Sequence, residues 1–395
     1  MNLFTDETKC CGCEACVNIC PKQAITMQKN EKGFLYPVVD ETKCIHCERC
    51  ASVCKFRHSE LSNMRTPDVY AVVNQNKTDI HKSTSGGAFS VMARYVLENN
   101  GVVVGCAWDK EILPYHISVD SLDELEKLQG SKYVQSRIGD SFKVVKSELE
   151  NGKKVLFSGT PCQCDGLRSY LGKEYENLIC VELICHGVPS AEFWRAYVTL
   201  LENQLHGRIL DIKFRDKKRG WGALLHITYK NAKGSIKHKY LSTGESYYYY
   251  YYWGGNLYRD SCYSCKYACL YRQSDYTIGD YWGIQRAHPD VDASGGASVL
   301  LVNTDKGKNL LPELQKYMKI VPSTLDAATR ENGQLVAAST EQLPVERLWE
   351  LYKNGGAEAL EKDYKMHQRS NIWKGKIKRW IPLSIKEKIK KVIMR

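Results

Sequence analysis

Two cysteine runs of the same spacing, C-x2-C-x2-C-x3-C, constrain this chain more than any other feature. Cys10, Cys13, Cys16 and Cys20 form the first, and Cys44, Cys47, Cys50 and Cys54 the second. Three thiolates on one tight loop can cap three corners of an iron–sulfur cubane while the fourth faces away. Zinc ribbons use paired C-x2-C units and have no use for triple units with a trailing cysteine. An internal repeat supports the pairing of the runs: Asp6-Glu7-Thr8-Lys9-Cys10 recurs as Asp40-Glu41-Thr42-Lys43-Cys44, so the two halves are pseudo-symmetric.

With Pro21 behind the first run, this pattern resembles the bacterial two-cluster ferredoxins, in which the fourth cysteine of each run ligates the other cluster. The expected sets are Cys10, Cys13, Cys16 and Cys54 for one [4Fe–4S] cluster, and Cys44, Cys47, Cys50 and Cys20 for the other. Two departures stand out. Lys55 occupies the place of the second proline, and Cys11 adjoins Cys10; the repeat register makes Cys10 the ligand and Cys11 a spectator thiol. Between the runs, Ala24 to Gln28 and Phe34 to Val38 read as a hairpin around Asn30 to Gly33. The expected fold class is an α+β ferredoxin-like module over residues 1–60, followed by a larger α/β domain.

With 395 residues, 43% of them hydrophobic, the chain can bury two or three cores. It has no run of eighteen apolar residues, so no spanning helix is expected. Met1 to Lys9 is polar and acidic, unlike a signal peptide, and a cytoplasmic location is expected. Thirteen or fourteen of the seventeen cysteines fall into tight groups, which then points to metal ligation rather than disulfides.

Beyond residue 56, strand-like and helix-like stretches alternate, which argues for an α/β core. The expected strands are Val69 to Val73, Val102 to Cys106, Lys154 to Phe157 and Asn177 to Ile184. The expected helices are Ala88 to Asn99, Ser141 to Asn151 and Ala191 to Gln204. Two Gly/Pro loops, Ser158 to Gln163 and Cys185 to Ser190, follow strands, where open α/β sheets bind ligands. Cys106 and Cys180 read as small buried hydrophobes. Cys262, Cys265 and Cys269 form another group, one short of a cubane, with Cys162, Cys164 or Cys185 available as a fourth ligand.

The stretches Ser85-Gly86-Gly87, Gly130 to Ser136, Gly159 to Gln163, Cys185-His186-Gly187 and Gly279 to Gly283 come in that order. Together they resemble the beta-subunit family of the factor-420 (deazaflavin) hydrogenases and dehydrogenases, over roughly residues 65–330. The resemblance implies an FAD and a third [4Fe–4S] cluster. Its cluster cysteines map to Cys162, Cys185, Cys262 and Cys265, with Cys164 and Cys269 as rivals. Its flavin contacts map to Ser85, Gly86, Gly87, Lys132, Tyr133, Gln135 and Ser136. The implied function is an oxidoreductase passing electrons between clusters and a flavin that exchanges hydride with an organic substrate or a deazaflavin coenzyme. The alternative is an electron-relay subunit serving a redox partner protein. No catalytic acid or base stands out.

Three further features invite expectations. Tyr247 to Tyr252, six consecutive tyrosines, reads as a strand with one buried face, or as a platform for a flavin or substrate ring. Arg215 is a candidate for an anionic group, or else an exposed charge. Residues 331–395 form a C-terminal extension whose tail, Arg369 to Arg395, holds ten Lys/Arg against Glu387 alone. Its Ile and Trp residues, with positions 385, 389, 392 and 393 at helical spacing, suit a helix on anionic lipid or on a partner protein, with a disordered tail as the third reading. No recognition motif accompanies this charge, so no nucleic-acid partner is expected.

Overall fold

The computed structural model describes residues 3, 6–57, 61–341 and 344–381. Near the N-terminus, strands β1 (Ile25–Lys29) and β2 (Leu35–Val39) pair antiparallel, within a residue of the expected hairpin. Its turn is closed by Asn30, whose Oδ1 accepts from the amides of Lys32 and Phe34, and by Gly33 at φ 75°. Two short helices, Ala15–Ile19 and Arg49–Ser52, follow the two cysteine loops in pseudo-symmetric positions.

The rest of the chain is built on an eight-stranded sheet. Its strands are β3 (Asp68–Asn74), β4 (Val102–Trp108), β5 (Pro114–Val119), β6 (Val155–Gly159), β7 (Leu178–Leu183), β11 (Tyr276–Asp280), β12 (Ser298–Val302) and β13 (Met318–Pro322). The spatial order is β13-β3-β12-β11-β7-β6-β4-β5. Strands β4, β6, β7 and β11 run parallel. β5 closes one side antiparallel, and β12, β3 and β13 extend the other. The parallel centre is near-continuously apolar because both faces are covered. Side chains alternate between the faces with the strand period of two. Val103, Leu156 and Val181 pack under the helix Ala88–Glu98. Val104, Val155, Phe157 and Cys180 pack under the helices Ser141–Glu150 and Pro161–Leu171. The architecture is thus the expected α+β module followed by an α/β domain, with an antiparallel extension that the alternation of elements did not announce.

A separate antiparallel meander, β8 (Gly207–Lys213), β9 (Leu224–Asn231) and β10 (Ile236–Ser242), packs with the helix Ala191–Leu205. The tyrosine run corrects the sequence reading: Tyr247–Trp253 is a helix, not a strand. Ser246 caps it by accepting from Tyr249 N, just after a capping box between Ser242 and Glu245. Five of the six tyrosines are buried in an aromatic core with Phe193, Trp194, Tyr197 and Phe214. Capping and tertiary packing here override the β preference of tyrosine. The helix Arg369–Trp380 follows Val345–His367. The tail positions 385, 389, 392 and 393 lie outside the described residues. Among the described residues, no helix is long and apolar enough to cross a membrane.

Candidate redox centre

The two cysteine runs fold into two separate hollows. Cys10, Cys13, Cys16 and Cys54 share one, with Cys50 at its edge. Cys20, Cys44, Cys47 and Cys50 share the other. The fourth cysteine of each run therefore sits with the three of the other, as the ferredoxin pattern requires. Burial pushes the thiols of Cys10 and Cys16 up, and neighbouring sulfurs add to it. Such a group ionises when a metal replaces its proton.

The first hollow is pinned against the large sheet. Glu14, held in the left-handed region at φ 59°, accepts from the amides of Ile138 and Gly139 at 3.1 Å each. Asn18 Nδ2 donates to Gly139 O, and Gln135 Nε2 to Cys11 O. Arg259, wholly buried, donates to Cys10 O at 2.5 Å, Leu35 O at 3.0 Å and Gln135 Oε1 at 3.2 Å. Gly166 lets the helix Pro161–Leu171 come close, since a Cβ there would stand 3.1 Å from Cys13 Sγ.

Behind this contact lies a third group. Cys162, Cys185, Cys262 and Cys265 line one cavity, with Cys11 on its wall. Cys162 opens the helix Pro161–Leu171, Cys185 follows β7, and Cys262 and Cys265 come from the loop before β11. Burial and mutual repulsion push Cys185 well up, Cys262 up to about 12 and Cys265 up to about 11. The Cys162 thiol is held down by a hydrogen bond with Cys11, which also contacts Cys13. Cys11, expected as a spectator thiol, lies on the wall of both the first hollow and the third. The rivals lie elsewhere. Cys164 Sγ points to Val181 O beside Cys180, and Cys269 Sγ to the carbonyls of Lys266 and Tyr271. Arg272, 2% exposed, lines the same cavity. Its Nη1 donates to Tyr267 O, while Nη2 has no hydrogen-bond partner among the described residues. A buried donor left open beside four thiols fits an anionic sulfur cluster.

Next to this cavity is a larger one of about 240 Å³ at the carboxyl ends of β4, β6, β7 and β11, the edge where parallel sheets bind ligands. Ser85, Gly87, Lys132, Tyr133 and Ser136 line it. Two residues expected here do not. Gly86 packs against the sheet, where a Cβ would stand 2.5 Å from Ser298 N and Val72 O, so only glycine fits. Gln135 turns the other way, to Cys11 and Arg259. Of the tyrosine helix, Tyr252 and Trp253 reach the cavity.

The cavity is prepared for a negative group. Among the described residues, Lys132 donates only to the carbonyls of Gln129 and Gly130, and burial lowers its pKa. The helix Ala88–Glu98 starts at the same wall with no side-chain cap, leaving its first amides open. Lys217 braces the loop from behind by donating to Ile80 O and Ser85 O, and burial lowers its pKa to about 7. Arg215 is neither an exposed charge nor an open anion receptor. It pairs with Asp280 at 2.9 Å, donates to Tyr133 Oη at 3.0 Å and lies over the Trp282 ring. The two cavities share a wall of Ser136, Thr160, Gln163, Cys185, His186, Gly187 and Val188. Arg259, Arg272 and Glu14 carry no motif in the sequence; only folding reveals their positions.

His116 sits in the cavity wall, stacked on Phe157, with Nε2 3.1 Å from Ser158 O and Nδ1 3.2 Å from Ser136 Oγ. Burial lowers its pKa to about 4. The unfolded imidazole takes a proton near pH 6.5 that the folded one refuses, so stability falls as pH drops from about 6.5 towards 4. Between pH 7 and 5.5 this group alone should cost about 1 kcal/mol. Anaerobic denaturant titration of wild type and His116→Gln at both pH values checks it. The variant should lose that part of the pH dependence, and an unchanged dependence would contradict the assignment.

Comparison with known proteins adds two matches. Residues 152–327 match the family described as coenzyme F420 hydrogenase/dehydrogenase, at the C terminus of its beta subunit. Residues 9–57 match a 4Fe-4S dicluster domain. No curated protein matches. Among solved structures, the F420-reducing [NiFe] hydrogenase complex from Methanosarcina barkeri, in a xenon derivative, contains a similar chain. The two are 14% identical with a TM-score of 0.41, over 75% of this chain and 90% of that one. Residues 152–327 of this protein thus carry the C-terminal domain of the coenzyme F420 hydrogenase/dehydrogenase beta-subunit family, behind a 4Fe-4S dicluster domain over residues 9–57.

Proposed function

We propose that this chain is an iron–sulfur flavoprotein oxidoreductase with three [4Fe–4S] sites and one FAD site in series. The observation that carries the reading is the shared wall: the four-cysteine cavity abuts both the first ferredoxin hollow, through Cys11, and the 240 Å³ cavity, through Cys185 and His186. The assigned units are a two-cluster module at 1–60, a flavin and iron–sulfur domain at 65–330, and an extension at 331–395. Cys162, Cys185, Cys262 and Cys265 would hold the third cluster, with Arg272 Nη2 donating to it.

The larger cavity fits part of an FAD. Its volume is below the roughly 300–1,000 Å³ of pockets for drug-sized ligands, so a dinucleotide would extend beyond it. Lys132 and the open amides of the helix Ala88–Glu98 would meet the phosphates. Tyr252, Trp253 and Tyr133 supply aromatic faces for a ring. Bound there, FAD would exchange a hydride with an organic donor or acceptor and trade single electrons with the clusters. The protein's own part is to exclude water, to fix Tyr133 through Arg215 and Asp280, and to keep His116 and His186 neutral. Burial lowers both histidines to about 4.

The test is anaerobic spectroscopy of the chain with bound FAD. Reduced deazaflavin coenzyme should bleach the flavin and cluster bands, as dithionite does. Bleaching by dithionite alone would withdraw the deazaflavin site and leave a relay subunit fed by a redox partner.

A further inference from the structure

The helix Arg369–Trp380 is seated on the β8–β10 meander by one face and leaves the other open. Gly375 is buried against Gly244, where an added Cβ would stand 3.1 Å from the Gly244 Cα. Arg379 donates to Tyr240 O and pairs with Glu245 at 3.2 Å. Ile372, Gly375 and Arg379 therefore make the inner face. On the outer face Trp373 is 65% exposed and Ile377 38%, one helical turn apart, with Met366 at 53% at the end of the preceding helix. Large apolar side chains held open on a seated helix require an explanation that core packing does not supply.

Along the helix Arg369–Trp380 the charges have one sign. Arg369, Lys374 and Lys376 are exposed around Trp373 and Ile377, and no acidic residue occurs from 369 to 379. The helix packs against β10, whose hairpin with β9 carries Lys230, Lys233, Lys237 and Lys239, again without an acid over 230–239. Ile236 stands 52% exposed at the hairpin end. In sequence, residues 382–395 continue the bias with five Lys/Arg against Glu387. Cations alone would suit any polyanion. A tryptophan and isoleucines among them suit a boundary where apolar groups enter an acyl layer and cations meet anionic headgroups.

We infer that the outer face of Arg369–Trp380 binds an anionic lipid surface, so that the protein works peripherally at a membrane. The experiment is anaerobic flotation of the full chain with vesicles of phosphatidylcholine alone or with one quarter phosphatidylglycerol. Trp373→Ser/Ile377→Ser and Lys374→Glu/Lys376→Glu are compared with wild type, and unchanged iron content shows that each variant is folded. The expected result is at least tenfold more wild type on the anionic vesicles, with a severalfold loss in each variant. Equal partitioning onto both vesicles would overturn the inference. Loss in the lysine variant alone would overturn it too, because the face would then be a receptor for an acidic protein or another polyanion.

Discussion

Replacing Cys185 and Cys262 together by alanine should remove one whole cluster from the chain and leave the other two. A [4Fe–4S] cubane held by four thiolates does not survive on two, so iron should fall from about twelve to about eight per chain. The ferredoxin hollows share no ligand with the four-cysteine cavity, so their eight irons should stay and report a folded protein. The substitution removes buried thiols rather than bulky core groups. Its direct cost, about 1–3 kcal/mol for two small cavities, is well within reach of a chain this size. Iron and sulfide assay on anaerobic samples checks the prediction. An unchanged iron count would remove Cys185 and Cys262 from the ligand set.

A second large effect is expected at Arg259. Its guanidinium satisfies Cys10 O and Leu35 O in the N-terminal module and Gln135 in the large domain, and it lies 4.0 Å from the centre of the Tyr36 ring. Methionine fills most of the volume but leaves two buried carbonyls and an amide without partners, at about 1–3 kcal/mol each. The sum, about 3–9 kcal/mol, falls on the junction between the modules. Arg259→Met should therefore lower Tm by roughly 10 °C or more and open the junction to protease, releasing an N-terminal fragment near residue 60. Arg259→Lys keeps the charge but loses the fork, and should fall between. Wild-type protease resistance in the methionine variant would show that the module is held by other contacts, such as Glu14.

The eight ferredoxin cysteines were legible from spacing alone, because a local loop fixes three ligands at a time. The parallel strands β4, β6 and β7 were legible too, since apolar runs between helices carry their own signal. The third cysteine group was not legible by local reading. Its members come from three loops that only the sheet brings together, and the ordered motifs of the family resemblance supplied the set that the fold gathers. The tyrosine run misled because its β preference was read without its caps, Ser242, Glu245 and Ser246. Gly86 was expected among the flavin contacts through the resemblance; its close partner is instead the backbone of β3 and β12. Arg259 and Arg272 left no trace in the sequence, since isolated arginines read as surface charge until burial shows otherwise.

The claim that three clusters and a flavin stand in series is tested most directly by counting them. Iron, acid-labile sulfide and flavin should be assayed on one anaerobically purified sample of the full chain. The account predicts about twelve irons, about twelve sulfides and one FAD per chain. About eight irons and no flavin would contradict it, leaving a two-cluster relay joined to a domain without redox chemistry of its own.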